Sequence, residues 1–353
     1  MHALAHPAPI PRSASVEVAG ADPSPAAAVT IDRGTGAALA ADASGALPSD
    51  VAAALRAAPA LAAAVPLPAA DATAERLEAL ATLGAHDLEV ARAVEPHLDA
   101  VAILAEAGVE PHPGAYGVFA AEGPGMRLEL EGGRLTGEKP WCSLADRLDR
   151  ALVSAWQGDE RVLVDVDLRQ HGVEPVAGAW HARGLTGIPS GPVRFDGAAA
   201  TPVGEPGWYL RRPGFAWGGI GVAACWHGGA VAVARRLLDG AGDAPLRLAH
   251  LGAVDEALTA SRLALADAAR RIDAGDVDDP GMLALRTRGI VARAVEEVLA
   301  RVGRALGPGP LALDAEHARR VADLQLYVRQ HHAERDQASL GAALVADRAG
   351  RAW

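Results

Sequence analysis

The densest run of chemically useful residues is Leu135-Thr-Gly-Glu-Lys-Pro-Trp-Cys-Ser143. A tryptophan beside small hydroxyl residues, at the end of a β-hairpin, suits a flat cofactor. The indole lies against a ring system while a hydroxyl or backbone N–H donates to ring heteroatoms. The same residues also suit a Trp141 packed between domains, with Ser143 capping the next turn. A second cluster, Asp323-Leu-Gln-Leu-Tyr-Val-Arg-Gln-His-His-Ala-Glu-Arg-Asp336, offers proton acceptors. His331 is a base at neutral pH. Glu334 stands three residues on, sharing a face with it on an ideal helix. A solvated helix end rich in His and Arg, favoured by the helix dipole, accounts for the same residues without chemistry. His331 and His332 alone do not make a metal site, because adjacent helical residues do not face one another.

Two further segments invite a chemical reading. Met282-Leu-Ala-Leu-Arg-Thr-Arg-Gly-Ile-Val-Ala-Arg runs on to Arg301-Val-Gly-Arg-Ala-Leu-Gly307. Its guanidinium groups, Arg301 and Arg304 among them, can bind phosphate bidentately or simply form the charged face of an amphipathic helix. Cys225-Trp-His-Gly-Gly-Ala holds a nucleophile and a base by type, but no oxyanion-hole or third-member pattern accompanies them. Gly228, Gly229 and Ala230 read instead as close helix packing. Gly218-Gly-Ile-Gly-Val lacks the preceding strand of a dinucleotide fingerprint.

These residues need elements to hold them. The 353-residue chain is long enough for two or three domains and a large core. Half of it is hydrophobic and 22% charged, which argues against a mostly disordered chain. A net charge of -11 excludes a broad nucleic-acid surface. Lys139 is the one lysine. Two cysteines cannot build a Cys-based zinc site or a disulfide framework, and a reduced cytoplasm is the simplest compartment. The apolar stretch 51–70 carries Arg56 and three prolines, so it is not a membrane span. The N-terminus has no basic region before an apolar run, unlike a standard signal peptide.

Residues 1–45 read as an irregular segment and 46–110 as a helical domain. Helix is expected over Ser49–Ala64 and, at apolar helical spacing, over Thr73–Ala107, with interruptions at Gly84 and Pro96. Residues 111–210 read as a small antiparallel β domain. Arg127-Leu-Glu-Leu alternates into the turn Glu131-Gly-Gly-Arg, and strands follow at Ala151–Ala155, Arg161–Val166 and Pro192–Phe195. Residues 211–353 carry four helical stripes: Val222–Leu238, Leu246–Ile272, Met282–Leu306 and Ala315–Gln330. The class is therefore α+β, with helices, then sheet, then a four-helix bundle.

That order, with its motifs, resembles the acyl-CoA dehydrogenase family over roughly 75–350. Gly137-Glu-Lys-Pro-Trp-Cys-Ser, then Arg150-Ala-Leu-Val-Ser-Ala, is similar to that family's G-x-K-x-W-[IC]-[TS] and following L-V-x-A strand. Tyr116-Gly-Val-Phe-Ala-Ala-Glu-Gly-Pro-Gly stands where the family has its flavin-binding strand and turn. Trp180-His-Ala-Arg-Gly-Leu-Thr-Gly-Ile-Pro-Ser, Val193-Arg-Phe-Asp-Gly and Arg212-Pro-Gly-Phe resemble the segments leading to the bundle.

The resemblance implies FAD. Trp141 would lie against the isoalloxazine, Ser143 would contact the ring edge near the reactive nitrogen, and backbone groups of Phe119, Ala120 and Ala121 would line the flavin. Arg301 and Arg304 would approach the FAD diphosphate of a neighbouring subunit. Ala121 replaces the usual Thr and Gly125-Met-Arg the usual Gly-Ser, so two hydroxyl contacts are lost, at ~0.5–1.5 kcal/mol each. Aligning Asp323 and Tyr327 puts His331 where the family has its catalytic Glu, with Glu334 three residues later. The implied activity is α,β-dehydrogenation of an acyl thioester, with electrons passed to an acceptor. Glu334 would be the base of a dehydrogenase, His331 that of a flavin-dependent hydroxylase on the same fold. A non-catalytic scaffold is the remaining alternative. A homodimer or homotetramer is expected.

Overall fold

The computed structural model describes residues 28–32, 34, 36–41 and 46–346, so most of the expected irregular segment lies outside the described residues. Within it, Gly36–Ala40 forms a 3-10 turn. Three helices follow: α1 (Val51–Ala64), α2 (Thr73–His86) and α3 (Leu88–Glu106). The interruptions expected at Gly84 and Pro96 are not there, since both residues lie inside helices. The chain breaks instead at Asp87, whose carboxylate caps α3 by accepting from the amides of Glu89 and Val90. Gly84 serves packing. A Cβ there would stand 2.4 Å from the Cys225 carbonyl oxygen, and one at Gly228 would stand 1.9 Å from that of Ala81. The two glycines let backbones approach where α2 crosses α5, the packing role expected of Gly228.

The middle of the chain forms eight strands: β1 (Tyr116–Phe119), β2 (Leu128–Glu131), β3 (Arg134–Lys139), β4 (Arg150–Gln157), β5 (Glu160–Asp167), β6 (Val173–Pro175), β7 (Val193–Ala199) and β8 (Thr201–Pro202). They lie in the order β6-β7-β3-β2-β4-β5-β8, with β1 against β4. The sheet is mixed rather than purely antiparallel, because β1 and β2 both run parallel to β4. The β2–β3 turn follows its sequence signature, with Gly132 and Gly133 both at positive φ.

After the short α4 (Trp208–Arg211) come α5 (Pro213–Asp239), α6 (Pro245–Asp273), α7 (Pro280–Leu306), α8 (Pro308–Leu313), α9 (Ala315–Tyr327) and α10 (Glu334–Ala346). Helix α5 starts nine residues before its expected boundary at Val222. The glycines of Gly218-Gly-Ile-Gly-Val are helical, and the Gly219 carbonyl accepts from Arg288 of α7 at 2.6 Å. Helix α5 packs against α2, α6 and α7. It is long and apolar enough to cross a membrane by length and composition, but 67% of that window is buried inside the protein. One continuous core joins the first helices, the inner face of the sheet and the bundle.

Candidate active site

The Trp141 segment leaves β3 under tight backbone control. Lys139, at the end of that strand, is buried, and its ammonium donates to Ser154 Oγ and pairs with Glu122. The Cys142 and Leu144 amides then donate to the Gly191 and Pro189 carbonyls. Trp141 and Leu144 are both held at φ 59°. Left-handed backbone at a bulky residue costs on the order of 1–3 kcal/mol and marks positions that the surroundings fix. The result is a tryptophan 59% exposed beside fully packed neighbours.

Its indole lines a cavity of about 530 Å³ with Gly123, Met126, Pro140, Trp180, Ser190 and Leu326 among the walls. The walls come from four places: the turn after β1, the Pro140–Trp141 segment after β3, the 179–192 loop and α9. Asp323 of α9 ties two of them together by accepting from the Leu185 amide at 2.6 Å. Burial raises the Asp323 carboxyl to about 6, while that amide and Arg319 pull the other way. An exposed indole in a fixed left-handed backbone, over a cavity walled mostly by apolar groups, fits a flat aromatic ring system such as a flavin.

Ser143 lies on the inner side of the segment and is buried. Its Oγ accepts from Arg92 Nη2 at 3.0 Å and stands 2.8 Å from Ser190 Oγ. Ser190 donates to the Ile188 carbonyl at 3.0 Å. A hydroxyl has one proton, so Ser143 is the donor in the serine pair. It can donate to a bound ring only by turning away from Ser190. Phe119 is buried and, with Arg92 and Ser143, lines a crevice of only about 10 Å³. The Ala120 carbonyl accepts from Ser154 at 3.3 Å, and Ala121 is exposed.

Behind Ser143 lies a buried polar cluster. Arg92 Nη1 stands 4.0 Å from Glu95 Oε2, and the Arg92 guanidinium lies 5.9 Å from the Tyr327 ring centre. Burial and the neighbouring Asp99 push Glu95 up to about 7, against the pull of Arg92, Arg76 and Arg288. Burial likewise raises the Tyr327 hydroxyl and the Cys225 thiol beside it. The Tyr327 hydroxyl faces the Cys225 thiol, and Trp226 Nε1 has no hydrogen-bond partner among the described residues. Cys225 is thus a protonated core thiol, and His227 is held neutral, its pKa lowered to about 4 by burial, with Nδ1 2.9 Å from Ser261 Oγ. That agrees with a packing role for both.

The remaining sequence candidates are spread out. His331 follows the 3-10 turn Val328–Gln330 and is 9% exposed; its Nδ1 accepts from the Ala333 amide at 3.2 Å, and its Nε2 has no hydrogen-bond partner among the described residues and stands 3.8 Å from Asp336 Oδ2. Burial lowers its pKa, while Asp336 opposes this. Glu334 does not share a helical face with it: the helix breaks at His331–Ala333, and Glu334 opens α10 facing solvent. Arg301 pairs with Glu297 one turn away at 2.6 Å, and Arg304 is exposed. Sequence reasoning missed Arg92, Glu95 and Ser190. The first two stand three apart on α3, which marks a shared face; no spacing rule announces Ser190.

No protein family and no curated protein is matched by the sequence. Solved structures are matched by shape. The dibenzothiophene monooxygenase TdsC from Paenibacillus sp. A11-2, solved with FMN and indole, is 18% identical with a TM-score of 0.66, over 76% of this chain and 82% of that one. Butyryl-CoA dehydrogenase from Megasphaera elsdenii is 14% identical with a TM-score of 0.67, over 77% of this chain and 82% of that one. XiaF from Streptomyces sp., solved with FADH2 and glycerol, is 18% identical with a TM-score of 0.68, over 85% and 89%. Helices, a mixed sheet and a closing helical bundle in this order, with these neighbours, make the chain a divergent member of the acyl-CoA dehydrogenase fold.

Proposed function

We propose that this protein is a flavin-dependent oxidoreductase that holds its flavin ring against Trp141, with Ser143 at the ring edge. The observation that carries the reading is Trp141 itself, 59% exposed in a constrained left-handed backbone over a cavity of about 530 Å³. A bound flavin supplies the electron sink. The chain's own residues orient the ring through Trp141 and Ser143 and hold a neutral His331 whose Nδ1 accepts from the Ala333 amide at 3.2 Å, so that its proton sits on Nε2 and can be donated there. FAD is the cofactor in this reading, with Arg301 and Arg304 on the diphosphate of a partner copy in a homodimer or homotetramer. The favoured reaction is dehydrogenation of an acyl thioester, with electrons passed to a separate acceptor.

A second reading, oxygenation by reduced flavin, is favoured by one observation. Glu334, the carboxylate expected to take an α-proton, faces solvent, whereas His331 is buried, with Nδ1 accepting from the Ala333 amide and an unpartnered Nε2–H left to donate. The purified protein separates these readings. Flavin absorbance at near full occupancy supports the flavoprotein, and its failure to bind any flavin leaves a scaffold. Anaerobic bleaching by butyryl-CoA or octanoyl-CoA supports the dehydrogenase. No bleaching, with substrate-dependent oxygen uptake on adding reduced flavin, supports the oxygenase. A monomer by light scattering at micromolar concentration overturns the diphosphate role of Arg301 and Arg304.

A further inference from the structure

We propose that Arg92 is a positioning residue for the flavin edge: it fixes Ser143 and sets behind it a positive charge, incompletely neutralised, that makes the bound flavin a stronger electron acceptor. This rests on the flavin reading above and adds to it a role for α3, which the cofactor motifs do not include. The geometry has three parts. Arg92 Nη2 donates to Ser143 Oγ at 3.0 Å, so the guanidinium stands one hydroxyl away from the proposed ring edge. The crevice around the pair holds about 10 Å³, roughly one water, and the Arg92 side chain is 14% exposed, so bulk solvent screens the charge only weakly. Glu95 approaches Arg92 Nη1 only to 4.0 Å, beyond hydrogen-bonding distance.

Other charged groups surround the pair. Arg76 of α2 and Arg288 of α7 act on Glu95 along with Arg92, while Asp99 is the second carboxylate. Cys225 of α5 and Tyr327 of α9 face the same group and stay protonated. Arg212 is taken up by Glu106 at 2.7 Å, and Asp336 acts on Arg288 and His331. With Asp336 set against Arg288, Arg92 and Arg76 face Glu95 and Asp99, and what leaves Arg92 incompletely neutralised is its 4.0 Å gap to Glu95. A guanidinium does not lose its proton. Reduction adds electron density to the ring, and a fixed, largely buried cation nearby stabilises the electron-rich form. Accepting from a cation also polarises the Ser143 O–H, which strengthens it as a donor.

Sulfite tests this without a substrate. Its lone pair forms an N–S bond to the oxidised flavin ring, which takes up the negative charge, so its affinity reports positive potential at the ring. The full chain is loaded with FAD or FMN at pH 8 and titrated with sulfite by flavin absorbance. We expect Arg92→Gln to weaken sulfite binding at least tenfold and Arg92→Lys to restore most of it. Glu95→Gln, which removes the opposing carboxylate, should strengthen it several-fold. A purely structural role would weaken both Gln variants alike. Equal directions, or no change in either, overturn the proposal. If Arg92→Gln does not fold, Glu95→Gln and Arg92→Lys decide it alone. Should only reduced flavin bind, the ratio of its Kd to that of oxidised flavin is compared across the same variants: opposite shifts in the two Gln variants support the role of Arg92, and equal or absent shifts overturn it. Bound flavin is measured on every sample: no flavin in either state overturns the flavoprotein reading itself, whereas bound flavin with unmoved affinities overturns only the role of Arg92.

Discussion

Glu78 of α2 and Glu95 of α3 are both nearly sealed from solvent, 1% and 6% exposed, yet their surroundings differ in kind. Glu78 is wrapped by backbone. Its Oε1 accepts from the amides of Ile31, Asp32 and Gly34, and its Oε2 from that of Gly36, all at 2.8–2.9 Å. Burial would raise its pKa, but the four amides outweigh burial and hold it below the ordinary glutamate range. Glu95 faces guanidinium groups instead, Arg92 at 4.0 Å with Arg76 and Arg288 also acting on it, and burial with the neighbouring Asp99 still pushes it up to about 7. Around Glu78 the local chain satisfies the carboxylate, and its role is to pin the 28–41 segment onto α2. Around Glu95 the Tyr327 hydroxyl has only the Cys225 thiol beside it, and Trp226 Nε1 has no hydrogen-bond partner among the described residues. Unsatisfied polar groups that a fold keeps in its interior point to chemistry rather than to stability.

The largest effect should come from removing the satisfied carboxylate. Glu78→Ala is expected to lower stability by on the order of 4 kcal/mol in chemical denaturation, because four amides lose an ionised acceptor. Glu78→Gln should cost about half of that, since its carbonyl still serves most of them. A loss below about 1 kcal/mol in Glu78→Ala would break the contrast. On the other side of the comparison, Trp141→Ala should leave the unfolding midpoint unchanged while raising the flavin Kd roughly ten- to a hundredfold, a stacking contribution of about 1–3 kcal/mol. Equal flavin content in mutant and wild type would remove Trp141 from the site.

Glu95 should respond with the opposite sign to Glu78. Its pKa is raised in the folded state, so the native protein holds an extra proton between the ordinary glutamate value and about pH 7. Wild-type stability therefore falls as pH rises through that window. Glu95→Gln removes the fall, and its unfolding midpoint should exceed that of wild type at pH 8, by on the order of 2 kcal/mol. At pH 5 the two should agree. A variant less stable than wild type at pH 8 would make Glu95 a structural partner like Glu78. The smallest effect is kinetic. His331→Gln should slow single-turnover flavin reduction or oxygenation at least tenfold, roughly 1.4 kcal/mol on the barrier. Glu334→Gln should change it less than twofold. The reverse pattern would return the base to Glu334.

Much of the fold was legible because local chemistry writes it. Alternation and Gly132-Gly133 mark the β2–β3 hairpin, and apolar stripes mark α5, α6, α7 and α9. The Trp141 motif stands out because a large ring beside a small hydroxyl is informative at short range. Gly84 misled, since a glycine that allows two helices to touch looks, in one dimension, like a glycine that ends a helix. Glu334 misled for a related reason: i and i+3 share a face only if the helix continues, and here it breaks at His331–Ala333.

By itself the sequence determined the class and the order of helices, sheet and bundle. Arg92, Glu95 and Asp99 show what it left open. Their spacing of three and four puts them on one stripe of α3, a pattern that usually means a solvated face. Periodicity states which residues share a face, not what covers it. The cover comes from Arg288 of α7, Cys225 and Trp226 of α5 and Tyr327 of α9, more than a hundred residues away. Tertiary packing alone made that stripe an interior, and with it turned an ordinary arginine into the hydrogen-bond partner of Ser143.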